Sequence, residues 1–283
     1  MAVSFVFAGQ GAQAVGMGKS LYVALPKVKA LFDMAEAKQP GLLDIMFNGA
    51  KEQLDMTINT QPAMFLVGLA CAYAQEAQGI YATGVAGFSL GEISALCYAG
   101  WLDESQAFDL VRKRAEFMQS CAEKNPGNMF AVLKLPNEQI ETICAEVGEA
   151  WAVNYNCPGQ TVVACAVESV NALAEAVTAA GGRAMKLPVS GAFHSPFMTE
   201  ASEKMAQYLE SVTFNTPKLP LYANATAQIY DDPKALLARQ INSPVLWQKT
   251  VETMLDDGFD TFVEVGPGKV LTGLIAKIKE KQA

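Results

Sequence analysis

Short blocks of consecutive apolar residues alternate along this chain with longer stretches in which apolar residues recur every three or four positions. That is the pattern of buried strands joined by amphipathic helices. Val3 to Ala8 predicts a buried first strand, and Gly9-Gln10-Gly11-Ala12-Gln13 after it predicts a tight loop facing a ligand or another backbone. A helix is expected from Ser20 to Ala35, and a long apolar helix from Thr60 to Gln75, with Thr60 as cap and Pro62 in its first turn. Thr83 to Phe88 predicts a second buried strand with a helix starting at once at Glu92, and Asp103 starts the helix that carries Arg112 and Arg114.

Between residues 127 and 189 the rhythm changes. Met129–Leu135, Trp151–Tyr155, Thr161–Ala166 and Met185–Val189 predict strands; Ile140, Ile143, Cys144 and Val147 mark one helix face, and Glu168–Ala180 a second helix closed by Gly181-Gly182. This β-α-β-β-α-β order is that of a ferredoxin-like unit, entered through a hinge at Asn125-Pro126-Gly127. Helices at Pro196–Leu209, Asp232–Gln240, Leu246–Leu255 and Val270–Lys279 and strands at Leu219–Ala223 and Phe259–Glu264 then resume the first pattern. The turn Val265-Gly266-Pro267-Gly268 lacks the spacing of a phosphate loop and is expected to be structural. The expected fold is α/β: a large domain of residues 1–126 and 190–283 with a parallel sheet core, and an inserted small subdomain of residues 127–189.

Composition narrows the function. With 283 residues and 51% hydrophobic content the chain can bury a full core. A net charge of -8 argues against nucleic acid or an anionic membrane as partner. No apolar run approaches a membrane span, and the first residues lack the basic segment of a secretory signal. Cys71, Cys97, Cys121, Cys144, Cys157 and Cys165 show no C-x-x-C spacing, which suits reduced thiols in the cytoplasm, and one histidine offers little from which to build a metal site.

The candidate chemistry begins at Gly87-Phe88-Ser89-Leu90-Gly91. A serine flanked two places either side by glycine between a strand and a helix is the pattern of a nucleophile on a sharp bend. His194 is the only histidine, so it is the only imidazole available as base. The alternatives are a chance five-residue match and a merely structural histidine. Arg114 shares a helix face with Phe117 and Met118 and needs a partner there, either a bound anion or a structural carboxylate such as Glu92; Arg112 points elsewhere.

Seven segments together resemble the acyltransferase family of the malonyl-CoA:acyl carrier protein transacylases: residues 7–13, 87–92, Arg114 with 117–119, 154–160, 191–195, 240–247 and 264–271. The resemblance spans the chain and implies an α/β-hydrolase-like large domain with a ferredoxin-like insert. It implies Ser89 as nucleophile and His194 as general base, the amides of Gln10 and Leu90 as oxyanion hole, and Arg114 as the grip on the malonate carboxylate. The Gln240 carbonyl would orient His194, though a solvent-facing glutamine at a helix end is the alternative. Gly9, Gly11 and Gly91 would keep the oxyanion donors unobstructed. Phe193 would bear on the α-carbon, and Asn156 would support the site or simply serve its turn. The substrate would be malonyl-CoA and the partner acyl carrier protein, with no cofactor, metal, membrane or nucleic acid. Arg183 and Lys186 would meet phosphate or an acidic carrier. Departures stand at Ala8, Ala12, Phe88, Cys157, Cys165 and Leu246, none of which removes a reacting group. A serine hydrolase and a non-catalytic carrier-docking scaffold are the rival readings; the first lacks a third acid, and the second leaves Ser89 and His194 without purpose.

Overall fold

The computed structural model describes residues 2–189 and 191–282. Met1 and Ala283, at the ends of the expected large domain, and Ser190, at its expected point of return, lie outside the described residues. The strands are β1 (Ala2–Phe7), β2 (Gly84–Gly87), β3 (Gly127–Leu133), β4 (Ala150–Cys157), β5 (Gln160–Ala166), β6 (Arg183–Lys186), β7 (Leu221–Tyr222) and β8 (Phe259–Val265). The helices before the second sheet are α1 (Lys19–Ala24), α2 (Pro26–Lys38), α3 (Leu42–Asn48), α4 (Lys51–Leu54), α5 (Thr57–Ala77), α6 (Gly91–Tyr98) and α7 (Glu104–Lys124). Those that follow are α8 (Asn137–Val147), α9 (Val170–Ala179), α10 (Thr199–Glu210), α11 (Pro233–Gln240), α12 (Trp247–Asp256) and α13 (Val270–Gln282).

Two sheets divide the strands. β7-β2-β1-β8 is parallel throughout, with β1 paired to β2 and β8 and β2 paired to β7. Its two central strands are buried along most of their length, as a parallel sheet covered on both faces requires. The second sheet, β4-β5-β3-β6, is antiparallel and carries α8 and α9, with its own small core of Val132, Ile140, Val163, Leu173 and Val177. Its strand order is the ferredoxin-like one. The second sheet is tied to the segment between α11 and α12, where Tyr155 N–H donates to the Val245 carbonyl at 2.9 Å and Val245 N–H to the Val153 carbonyl at 2.8 Å.

Several element boundaries differ from the expectation, each for a local reason. The single helix expected over Ser20–Ala35 is two, because Pro26 lacks an N–H and Leu25 before it is extended, at φ -117° and ψ 113°. Thr60 does not cap its helix: α5 begins at Thr57, and the Thr60 hydroxyl donates instead to the Leu54 carbonyl at 2.5 Å. Pro62 therefore sits inside α5, where the Ile58 carbonyl that loses its helical donor receives Gln39 Nε2 at 3.4 Å. α3 and α4 had no counterpart in the sequence pattern, and the first turn of the helix expected from Pro196 is a 3₁₀ turn, Pro196–Met198.

The parallel sheet decides where chemistry can occur. Gly9–Gln13 follows β1, Phe88–Leu90 follows β2, Asn224 follows β7 and Gly266–Gly268 follows β8, so all four segments meet at the carboxyl ends of the strands. In open α/β sheets that edge is where ligands bind.

Candidate active site

Ser89 lies two residues after β2 and two residues before α6, with φ at 51°, in the left-handed region. For a residue bearing a Cβ this conformation costs about 1 to 2 kcal/mol, so the bend must be held by its surroundings. The glycines around it are required by close backbone approach. A Cβ on Gly91 would lie 2.1 Å from the Phe7 carbonyl oxygen, and one on Gly9 would lie 2.4 Å from the Phe88 carbonyl oxygen. This revises the expectation that Gly9 and Gly91 serve to clear space for a substrate oxygen: they let β1, its loop and the serine bend touch. Gly11 is different, with φ at 107° and open space where a Cβ would point.

His194 comes to Ser89 from the segment returning from the second sheet. Ser89 Oγ and His194 Nε2 are 2.7 Å apart, and His194 Nδ1 is 2.9 Å from the carbonyl oxygen of Gln240. A carbonyl can only accept, so Nδ1 carries the proton and Nε2 presents its lone pair to the serine. Burial, reinforced by the charge of Arg114, pulls the His194 pKa down to about 4. At neutral pH the ring is an unprotonated base. Gln240, at the end of α11, is buried and not at the surface. Its side chain also bridges the site, donating from Nε2 to the Ser89 carbonyl at 2.7 Å and accepting Arg114 Nη2 on Oε1 at 2.8 Å.

Arg114 is 2% exposed in the middle of α7. It donates from Nη1 to Gln61 Oε1 at 2.9 Å, and its Nη2 reaches Ser89 Oγ at 3.3 Å. Among the described residues its Nε has no partner and no carboxylate pairs with it; Glu92, the structural alternative, has both oxygens engaged elsewhere. Burial lowers its pKa to about 10, so the guanidinium keeps its charge at neutral pH. A buried cation held only by neutral amides beside a serine hydroxyl is poised for an anion. Arg112, by contrast, faces outward near Asp109.

Ser89, His194, Arg114 and Gln61 line a cavity of about 520 Å³ between the two sheets. Gln10, Phe193 and Asn156 line it as well; Asn156 is buried, and its Oδ1 has no partner among the described residues. Neither the Gln10 nor the Leu90 amide donates a hydrogen bond within the described chain, and Leu90 is the N-cap of α6. Arg183 and Lys186 are exposed on the edge strand β6, outside the cavity wall, which is formed by Leu187, Pro188 and Val189. Phe88 stacks edge-on against Trp247, with ring centroids 5.5 Å apart. The Gly266-Gly268 turn does not leave the start of α13 open to phosphate, because Glu264 accepts the amides of Leu271 and Thr272 at 3.1 and 2.8 Å. Among the described residues no group of His, Cys, Asp or Glu is arranged to hold a metal ion.

Three residues at the site were not found by sequence reasoning. Gln61 and Asn224 hold Arg114 and Ser89, and Tyr230 donates to Glu92. A glutamine inside the apolar run of α5 was the one visible signal, since a buried amide needs a partner. Asn224 and Tyr230 gave none.

Comparison with known proteins places this arrangement among relatives. The acyl transferase domain family matches residues 4–282. The chain is 37% identical over 288 residues to the malonyl CoA-acyl carrier protein transacylase of Bacillus subtilis, covering 99% of this chain and 91% of that one. It is 39% identical over 284 residues to the enzyme of that name from Escherichia coli, covering 97% and 92%. Its fold is similar, at a TM-score of 0.94 and 36% identity over 99% of this chain and 94% of the other, to a malonyl-transacylase solved in complex with a type II PKS acyl-carrier protein.

Proposed function

This chain belongs to the acyl transferase domain family, and from that premise we propose that it moves the malonyl group of malonyl-CoA to the phosphopantetheine thiol of acyl carrier protein through a malonyl-serine ester. The observation that carries the reading is Arg114: a buried, unneutralised cation 3.3 Å from a serine hydroxyl that is itself hydrogen-bonded to a neutral imidazole. A guanidinium with an unpartnered Nε and no paired carboxylate among the described residues suits a free carboxylate, which malonyl has and acetyl lacks.

Ser89 Oγ attacks the thioester carbonyl as its proton passes to His194 Nε2, and the amides of Gln10 and Leu90 receive the oxyanion. The tetrahedral intermediate collapses, the carbon–sulfur bond breaks, and His194 returns the proton to the CoA thiolate. The carrier thiol then gives its proton to His194 and attacks the ester, and the serine leaves with that proton. Each half is an acyl exchange without net oxidation, so no cofactor enters. The Gln240 carbonyl stabilises the imidazolium in place of a carboxylate. Phe193 closes the space at the α-carbon, Asn156 offers an acceptor in the cavity wall, and Gly9 and Gly11 shape the oxyanion loop. The carrier belongs to fatty acid or polyketide synthesis, and the compartment is the cytoplasm, in keeping with six free cysteines.

The test is labelling with radioactive malonyl-CoA and peptide mapping. One labelled peptide containing Ser89 is expected, its label discharged by carrier thiol and absent from Ser89→Ala. Undiminished label in that variant rejects the assignment, and rapid loss of label to water without carrier favours a hydrolase.

A further inference from the structure

The left-handed bend at Ser89 lies between the end of β2 and the start of α6; the neighbouring strand β1 reaches only Phe88, whose N–H donates to the Phe7 carbonyl at 2.9 Å, and the Ser89 carbonyl accepts the Glu92 N–H at 3.1 Å. Side chains from distant segments complete the hold. Asn224, two residues beyond β7, accepts the Ser89 backbone N–H on Oδ1 at 2.7 Å and donates from Nδ2 to the Gly87 carbonyl at 2.6 Å. It thus spans the bend from the last residue of the strand to the nucleophile. On the opposite edge of the same residue, Gln240 Nε2 grips the Ser89 carbonyl.

Asn224 is wholly buried and is itself fixed. Its N–H donates to Glu92 Oε2 at 2.7 Å, and its carbonyl accepts the Leu246 N–H at 2.9 Å. Glu92 stands in the first turn of α6, fully buried, and its other oxygen accepts the Tyr230 hydroxyl. The helix that starts beside the nucleophile therefore carries the carboxylate that anchors the residue spanning the bend. Burial raises the Glu92 pKa to about 7, against the pull of Tyr230 and the Asn224 amide. A buried carboxylate opposes folding unless its hydrogen bonds are made, and those it makes run to Tyr230 and Asn224. None of these three residues lines the cavity.

Resting on the reading of Ser89 as the acyl-accepting hydroxyl, we infer that Asn224 is a positioning residue, which with Glu92 and Tyr230 holds Ser89 in the left-handed conformation that aims Oγ at His194 Nε2. It touches no substrate. Because Arg114 is anchored by Gln61 and Gln240, neither of which bonds to Asn224, loss of the brace should impair attack and leave substrate binding intact.

Asn224→Ala is to be measured in two backgrounds. With Ser89 present, single-turnover acylation by malonyl-CoA should slow roughly 10- to 100-fold, the effect of a small misplacement of a reacting atom. With Ser89→Ala, the Kd for malonyl-CoA by calorimetry should stay within about twofold of the parent. A parental acylation rate in the folded variant, or a Kd that weakens in parallel with the rate, overturns the inference. Should Asn224→Ala not fold, Tyr230→Phe removes one hydroxyl and keeps the ring, and acylation about three- to tenfold slower at unchanged Kd is expected; a parental rate or a parallel loss overturns it equally. Absence of label at Ser89 in the parent protein defeats the transacylase reading and this inference with it, whereas a labelled parent and unaffected variants defeat the inference alone.

Discussion

Arg114 carries a buried charge that no carboxylate pairs with among the described residues, and on the proposed reading selectivity rests on this one side chain. An acyl group bearing a carboxylate completes the guanidinium's bonds; one without it leaves a desolvated cation beside the reaction. Arg114→Ala is therefore expected to lower kcat/KM for malonyl-CoA by about 100-fold or more while changing residual acetyl transfer little. Arg114→Lys should recover only part of the loss, since an ammonium cannot reproduce the planar fork. Parallel kinetics with the two thioesters check this, and equal losses would contradict the clamp. Among the residues, Ser89 was legible from the glycines two places either side of it, and His194 and Arg114 because the sequence has one histidine and four arginines. Asn224 was not: one amide among many has no signature until the fold sets it against Ser89 N–H.

Among the elements, the serine bend depends on α6 starting in contact with β1. Gly91 meets the Phe7 carbonyl so closely that any side chain must push strand and helix apart. Gly91→Ala is expected to destabilise the fold by about 2 kcal/mol or more and to slow malonyl labelling of the fraction that folds. Urea unfolding followed by tryptophan fluorescence reads the first effect; an unchanged midpoint would refute the steric account. Strands and amphipathic helices were readable because burial imposes a period on the sequence. Boundaries at Leu25-Pro26 and Met56-Thr57 were harder, because a proline can end one helix, as at Pro26, or be carried inside another, as at Pro62, according to what the neighbouring carbonyl finds as donor.

The whole molecule balances two buried titrations of opposite sign. His194 has a folded pKa of about 4 against 6.5 for a solvated imidazole, so as pH falls from 6.5 to 4 the unfolded chain takes up a proton that the folded one refuses, and stability is lost. Glu92 has a folded pKa of about 7 against 4.5 for a solvated carboxyl, so over the fall from 7 to 4.5 the folded chain binds the extra proton and stability is gained. The two should nearly cancel across the shared window. Glu92→Gln removes the second and should expose a loss of about 3 kcal/mol between pH 6.5 and 4 relative to the parent. Chemical denaturation at stepped pH measures it; a stability that holds or rises in the variant would contradict a buried neutral His194.

The linear chain already carried the α/β class, the ferredoxin-like order of the second sheet, and the identities of a hydroxyl, an imidazole and a guanidinium suited to acyl transfer. Those follow from periodicity, from the glycine-flanked motif at Ser89 and from scarcity, all properties of a string of residues. Folding added which amides hold Ser89, how Gln240 joins serine, histidine and arginine through both backbone and side chain, and why Glu92 turns to Tyr230 and Asn224, not to Arg114. Hydrogen bonds between residues 46 to 151 positions apart leave no local pattern, because their geometry exists only once the strand ends have converged.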